Sequence, residues 1–197
     1  MPRVVDLSTR RSEIAEAVWR VIGREGLQGA SVRGVALEAG LSMGSLRHYF
    51  DSQSQLHSFA MRLVMDRISA RVEALPPTPD ARLWAEQVLE QLLPLDADRR
   101  VESEVWLAFT ARALVDPALG ALRDEGFDRL RQVCHLLLTR LSAADDGPHG
   151  LDLELEAVRL HALVDGLLVH GAVRAALVDA VAIRRVLHFH LDAIGRS

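Results

Sequence analysis

Residues 31–50 read SVRGVALEAGLSMGSLRHYF. Two short apolar-patterned stretches flank Gly40, and neither is long enough to be a stable helix by itself. They must therefore be held by packing against each other and against a third element. Gly40 supplies the positive φ that a tight turn between crossing helices requires. Ala36 is small enough to let the two helices approach. Ser31 and Ser42 stand where N-caps are needed. Val32, Val35, Ala39, Leu41, Leu46 and Phe50 take the inward positions. The pattern predicts short helices over Val32–Ala39 and Met43–Phe50, a helix-turn-helix.

Ser42, Met43, Ser45, Arg47 and His48 remain for the outer face of the second helix, and Gly44 there lets the backbone approach a groove closely. An α-helix fits the major groove of DNA and presents side chains to base edges. Arg47 can donate two hydrogen bonds to guanine O6 and N7, and His48 can donate or accept. Ser42 and Ser45 are short enough to meet phosphate or base. Tyr49 and Gln53 stand where phosphate contacts are made. Ser31 and Arg33, opening the first short helix, complete the expected DNA-contacting set.

The rest of the chain is punctuated for helices. Ile14, Val18, Val21 and Ile22 form one stripe in a helix over Thr9–Glu25, with Ser8 or Thr9 as cap and Gly26 as terminator. A long helix follows from Asp51-Ser52 to Ala74, and a proline-rich break at Pro76-Pro77 ends it. Further helices are expected from Asp80 to Leu93, Val101 to Val115, Asp116-Pro117 to Leu141, Leu153 to Val173 and Asp179 to Ile194. Ser142–Gly150, with Asp145, Asp146, Gly147 and Pro148, reads as a loop. The fold class is all-α, about nine helices. A head over residues 8–54 precedes a linking helix over 52–74 and a larger helical domain over 75–197, for ligand binding and dimerisation.

Charge is divided the same way. Residues 1–50 hold seven arginines against five acids, while residues 51–197 hold sixteen against twenty-two. A mildly basic head on an acidic body suggests that only the head meets phosphate. Cys134 is the single cysteine, so no internal disulfide forms, and a reducing cytoplasm is expected. The first thirteen residues lack a signal-peptide stretch, and the apolar window Leu155–Val173 carries Glu156, Arg159, His161, Asp165 and His170, which argues against a membrane span. His188 and His190 would point about 200° apart on a helix and cannot chelate together. His161 and His170 have no metal-ligand spacing. No catalytic constellation or phosphate loop is present, so neither an enzyme nor a cofactor is expected.

Ala36, the run Ala39-Gly40-Leu41-Ser42, Gly44-Ser45-Leu46 and His48-Tyr49-Phe50 follow a known pattern. The segment resembles the head of TetR-family transcriptional regulators, and the long fourth helix and helix number agree. The resemblance implies a homodimer that binds a pseudo-palindromic double-stranded operator. It implies a repressor released when a small-molecule inducer, of unspecified identity, enters the larger domain. The family often has a cation at Met43, Tyr at Arg47 and Lys at Gln53. Such losses weaken phosphate grip and shift readout toward Arg47 and His48. They also leave open a helical ligand-binding or adaptor protein with a degenerate head.

Trp106-Leu107-Ala108-Phe109 and Ala162–Leu167 resemble segments of the choline-responsive betaine-pathway repressors. Cation recognition uses aromatic faces with an acid nearby. Trp84, Trp106, Phe109, His161 and Asp165 are the candidate ligand residues, with plain core packing as the alternative for each. The last two helices are apolar on more than one face. Leu160, Leu163, Leu167, Gly171, Val186 and Phe189 are the expected dimer interface, pairing with the same helices of a second subunit.

Overall fold

The computed structural model describes residues 7–144 and 150–194. These residues form nine α-helices and no strand, as the all-α reading expects. They are α1 (Leu7–Gly29), α2 (Val32–Glu38), α3 (Met43–Arg47), α4 (Gln53–Glu73), α5 (Ala81–Gln91), α6 (Ala97–Ala113), α7 (Gly120–Ser142), α8 (Leu153–Val173) and α9 (Ala180–Ile194). A 3-10 turn over Pro117–Leu119 precedes α7. Residues 145–149, the centre of the expected loop over Ser142–Gly150, lie outside the described residues.

Local chemistry explains most boundaries. Asp80, Asp152 and Asp179 each accept a backbone N–H of the first turn, at 2.9, 3.1 and 2.8 Å, and so start α5, α8 and α9. Gly26 takes φ 70° and kinks α1, where the sequence predicts its end. Several boundaries differ from expectation. The first helix starts at Leu7, ahead of the expected Ser8 or Thr9 cap. The sixth starts at Ala97 rather than Val101, because Asp96 accepts the Arg99 N–H at 2.8 Å. The third ends at Arg47 rather than Phe50.

The chain divides into two compact units. Unit 1 is residues 1–66 with 104–122, and unit 2 is 67–103 with 123–197. In unit 1, Ile14, Val18, Val21 and Ile22 of α1, Val35 and Ala36 of α2, and Leu46 and Phe50 are buried. Phe50 meets Phe59 of α4 edge-on, with ring centroids 5.1 Å apart. Unit 2 has its own core, in which Val88, Leu89 and Leu93 meet Leu137, Leu138, Leu160, Val164, Ile183 and Leu187. Within it Glu102, nearly fully buried, accepts from Arg71 at 2.7 and 2.5 Å and from Arg67 at 3.2 Å. The paired guanidiniums offset the cost of burying that carboxylate.

Gly171 marks the closest approach in this core. A Cβ built there would stand 2.6 Å from Pro94 Cγ and 2.7 Å from Ile183 Cδ1. Replacing a helical glycine by alanine ordinarily gains about 1 kcal/mol. Here the rigid Pro94 ring cannot yield, and overpacking costs about 1–3 kcal/mol. Gly171→Ala is therefore expected to lower the thermal midpoint. The same change at Gly166, where a Cβ meets open space, should not cost core stability.

Candidate functional site

The candidate nucleic-acid interface is assembled by two caps and one turn. Ser31 Oγ accepts the Gly34 N–H at 3.0 Å and starts α2. Gly40 takes φ 64°, and the Leu41 N–H donates to the Ala36 carbonyl at 2.9 Å, closing the turn. Ser42 Oγ accepts the Ser45 N–H at 3.0 Å and starts α3, and the two serine hydroxyls lie 2.9 Å apart. The serine expected to reach DNA is thus first a cap, with its side chain still exposed.

Leu46 and Phe50 turn inward. Ser42, Met43, Gly44, Ser45, Arg47, His48 and Tyr49 are exposed together, as are Ser31 and Arg33. Four arginines of α1, α2 and α3 divide into two pairs. Arg20 Nε and Arg24 Nη1 donate to the two oxygens of Glu38, at 2.6 and 2.8 Å. Hydrogen bonds from Arg20 and then Arg24 hold the Glu38 carboxyl below its ordinary range, so this clamp stays charged. Among the described residues Arg33 and Arg47 make no such pair. The sequence hides this partition, although Arg20 and Arg24 lie one turn apart on the same face of α1.

The start of α4 is pinned from several sides. Ser52 Oγ accepts the Gln55 N–H at 3.2 Å, and the Gln55 side-chain oxygen accepts the Asp51 N–H at 2.7 Å, close to a capping box. Gln53 donates its side-chain amide to the Ala30 carbonyl and lies 3.0 Å from His57 Nε2. Its amide nitrogen is therefore engaged by the head although the residue is exposed, and it also stands at the backbone start of α4. Ser54 Oγ donates to Asp116 Oδ2 at 2.6 Å, within unit 1. That bond, first among several causes, holds the Asp116 carboxyl down.

The ligand candidates divide between the units. Trp106 and Phe109 belong to unit 1, with Phe109 fully buried. Trp84, His161 and Asp165 belong to unit 2. The Arg140 guanidinium sits 4.3 Å from the Trp84 ring centroid, so that face already holds a cation. His161 and Asp165 do come together, with Nε2 3.4 Å from Oδ2. Phe127, absent from the sequence expectation, lies with its ring centroid 4.3 Å from that of His161. No spacing rule connects a residue of α7 to one of α8.

The interface expectation needs correction. Leu160, Leu167 and Gly171 are buried inside unit 2, and Leu163 packs partly against the same core. Their face of α8 is the inner one, satisfied by the chain's own α5, α7 and α9 residues. The outer apolar strip is Leu155, Val158, Ala162, Val169 and Val173 on α8, with Val181, Val186 and Phe189 on α9. Phe189 is 72% exposed. Two of the six expected residues, Val186 and Phe189, are on it.

Residues 14–57 match the family described as bacterial regulatory proteins, tetR family, and residues 79–196 match BetI-type transcriptional repressor, C-terminal. The chain belongs to the TetR family of transcriptional regulators. The HTH-type transcriptional regulator PksA of Bacillus subtilis is 38% identical over 98% of this chain and 94% of its own length. A transcriptional regulator from Rhodococcus sp. Rha1 superposes with TM-score 0.81 at 30% identity, covering 94% of this chain and 96% of that one. A Saccharomonospora viridis protein solved in complex with choline superposes with TM-score 0.78 at 25% identity over the same shares. TetR-family regulators are normally not enzymes. Among the described residues no helix is long and apolar enough to cross a membrane.

The His57 contact in the head depends on protonation. Gln53 can only donate from its amide nitrogen, so its contact with His57 requires an unprotonated Nε2. Burial first, then Arg112, pushes the His57 pKa down, against Asp116 and a Leu27 backbone bond. Because the folded state binds this proton less readily than the unfolded state, the contribution is complete above pH about 6.5. It is lost as pH falls through the lowered folded value. His57→Gln is expected to flatten the fall in thermal midpoint below that pH, measured against wild type in parallel melts.

Proposed function

We propose that this TetR-family regulator is a cytoplasmic homodimeric repressor. It grips a pseudo-palindromic operator through α3 and lets go when a small molecule enters the larger helical domain. The head over residues 8–54 contacts DNA, α4 links it onward, and residues 75–197 bind ligand and form the dimer.

The observation that carries this reading is the partition of side chains on α3. Leu46 is spent on the core, and the remaining face, apolar only at Met43, is exposed and free of internal ion pairs among the described residues. In this arrangement Arg47 donates to guanine O6 and N7, His48 bonds a neighbouring base edge, and Met43 meets a thymine methyl. Ser31, Arg33, Ser45 and Tyr49 flank the groove for phosphate contacts. Gln53 contributes through the N–H at the α4 start, since its side chain is occupied. The Glu38 clamp removes Arg20 and Arg24 from phosphate binding, which tips the balance toward base readout.

The outer strip on α8 and α9 supports dimerisation. A self-complementary apolar strip on paired helices suits an isologous contact with a second copy. The Saccharomonospora protein solved in complex with choline supports a small organic ligand for this chain, and the polar pair His161 and Asp165 is where such a ligand would meet charge.

A gel shift with DNA from upstream of the chain's own gene is expected to show sequence-selective, salt-sensitive binding. Its absence at low salt would favour the adaptor reading. Arg47→Ala should cost about 1–3 kcal/mol on the operator and relax preference at one base pair. A uniform loss on all DNA would move Arg47 to phosphate. Phe189→Glu should yield monomers by light scattering, and a variant that stayed dimeric would refute the strip as interface.

A further inference from the structure

The polar pair between α7 and α8 is not explained by folding alone. His161 is only 5% exposed. Its Nε2 stands 3.4 Å from Asp165 Oδ2, longer than a charge-assisted hydrogen bond. Nε2 of His161 and Oδ1 of Asp165 are both buried, and neither makes a hydrogen bond among the described residues. Each such orphan costs about as much as a hydrogen bond is worth or more, and buried polar atoms are ordinarily satisfied. A structural ion pair would be expected to close. This one stays open, with two unmet atoms side by side.

The surroundings make the missing partner specific. Burial pushes the Asp165 carboxyl up, opposed by His161. Burial, and then the charge of Asp165, push the Cys134 thiol of α7 up to about 12. The Phe127 ring, half exposed, borders the pair and gives it an apolar margin facing solvent. Ionised Asp165 only accepts hydrogen bonds, and neutral His161 accepts at Nε2 when Nδ1 carries the proton. A partner that brings positive charge and N–H donors meets both atoms at once. A quaternary ammonium brings charge without N–H and relies on free aromatic faces. Of the unit 2 rings, Trp84 already carries the Arg140 guanidinium, Phe189 is exposed on the outer strip, and among the described residues Phe127 is the ring placed against His161.

We propose that His161 and Asp165 form the polar end of the ligand site and take a protonated primary or secondary amine. One N–H donates to Asp165 Oδ1, another to His161 Nε2, and the substituent lies against Phe127. This rests on the reading of residues 75–197 as the ligand-binding part of the regulator, and it names the ligand class.

Calorimetric titration of the full chain with benzylammonium and with benzyltrimethylammonium separates the two cation chemistries. Benzylammonium should bind about tenfold or more tightly than its trimethyl analogue. Asp165→Asn should erase that preference. It should also raise the thermal midpoint of the free protein, because the cost of burying the carboxylate is removed. A fall in that midpoint would mark Asp165 as a structural ion-pair member and overturn the proposal. Equal or tighter binding of the quaternary cation, binding of neither probe, or unchanged amine binding in Asp165→Asn would also overturn it. The wild-type preference decides the matter even if a variant misfolds. Operator binding by the same preparations is scored separately. Its failure removes the regulatory reading, while the calorimetry still decides whether the amine site exists.

Discussion

Gly40 holds a left-handed φ of 64° between two helices of seven and five residues, and the orientation of α3 depends on it. A residue with a Cβ is strained there. The Leu41 N–H reaching back to the Ala36 carbonyl fixes the turn once the glycine allows it. With that turn set, Leu46 can enter the core only by aiming the opposite side of α3 at solvent. The exposure of Arg47 and His48 is thus a consequence of packing. Phe50 against Phe59 carries this constraint into α4.

Electrostatics then sorts what packing has exposed. One acidic residue, Glu38, takes up two arginines of α1 and leaves Arg33 and Arg47 without ion pairs among the described residues. Phosphate affinity scales with the number of cations that reach the backbone. A head that neutralises part of its own charge gives up non-specific grip, and the base contacts decide a larger share of binding.

Local signals were legible in the sequence, and relations between helices were not. Gly26, Gly40 and the cap aspartates mark their boundaries because each acts through its own backbone neighbourhood, and α8 spans the expected Leu153–Val173. Asp96 misleads because a cap and a connection share the same composition. Leu160 and Leu167 were expected on the outside because α8 is apolar on two faces, and only the positions of α5, α7 and α9 decide which face is inner. The same limit applies to the candidate sites. His161 and Asp165 are one turn apart and readable as a pair, whereas Phe127 beside them and Glu38 across from Arg20 depend on how helices pack.

In the proposed complex α3 enters the major groove with Arg47 at a guanine. Methylation interference on the operator tests that directly, because a methyl group on guanine N7 blocks the bidentate contact. With wild type, methylation of one guanine in each half-site should abolish binding, and with Arg47→Ala the same methylation should have no further effect. An interference pattern identical in both proteins, or no sensitive guanine in either half-site, would contradict it.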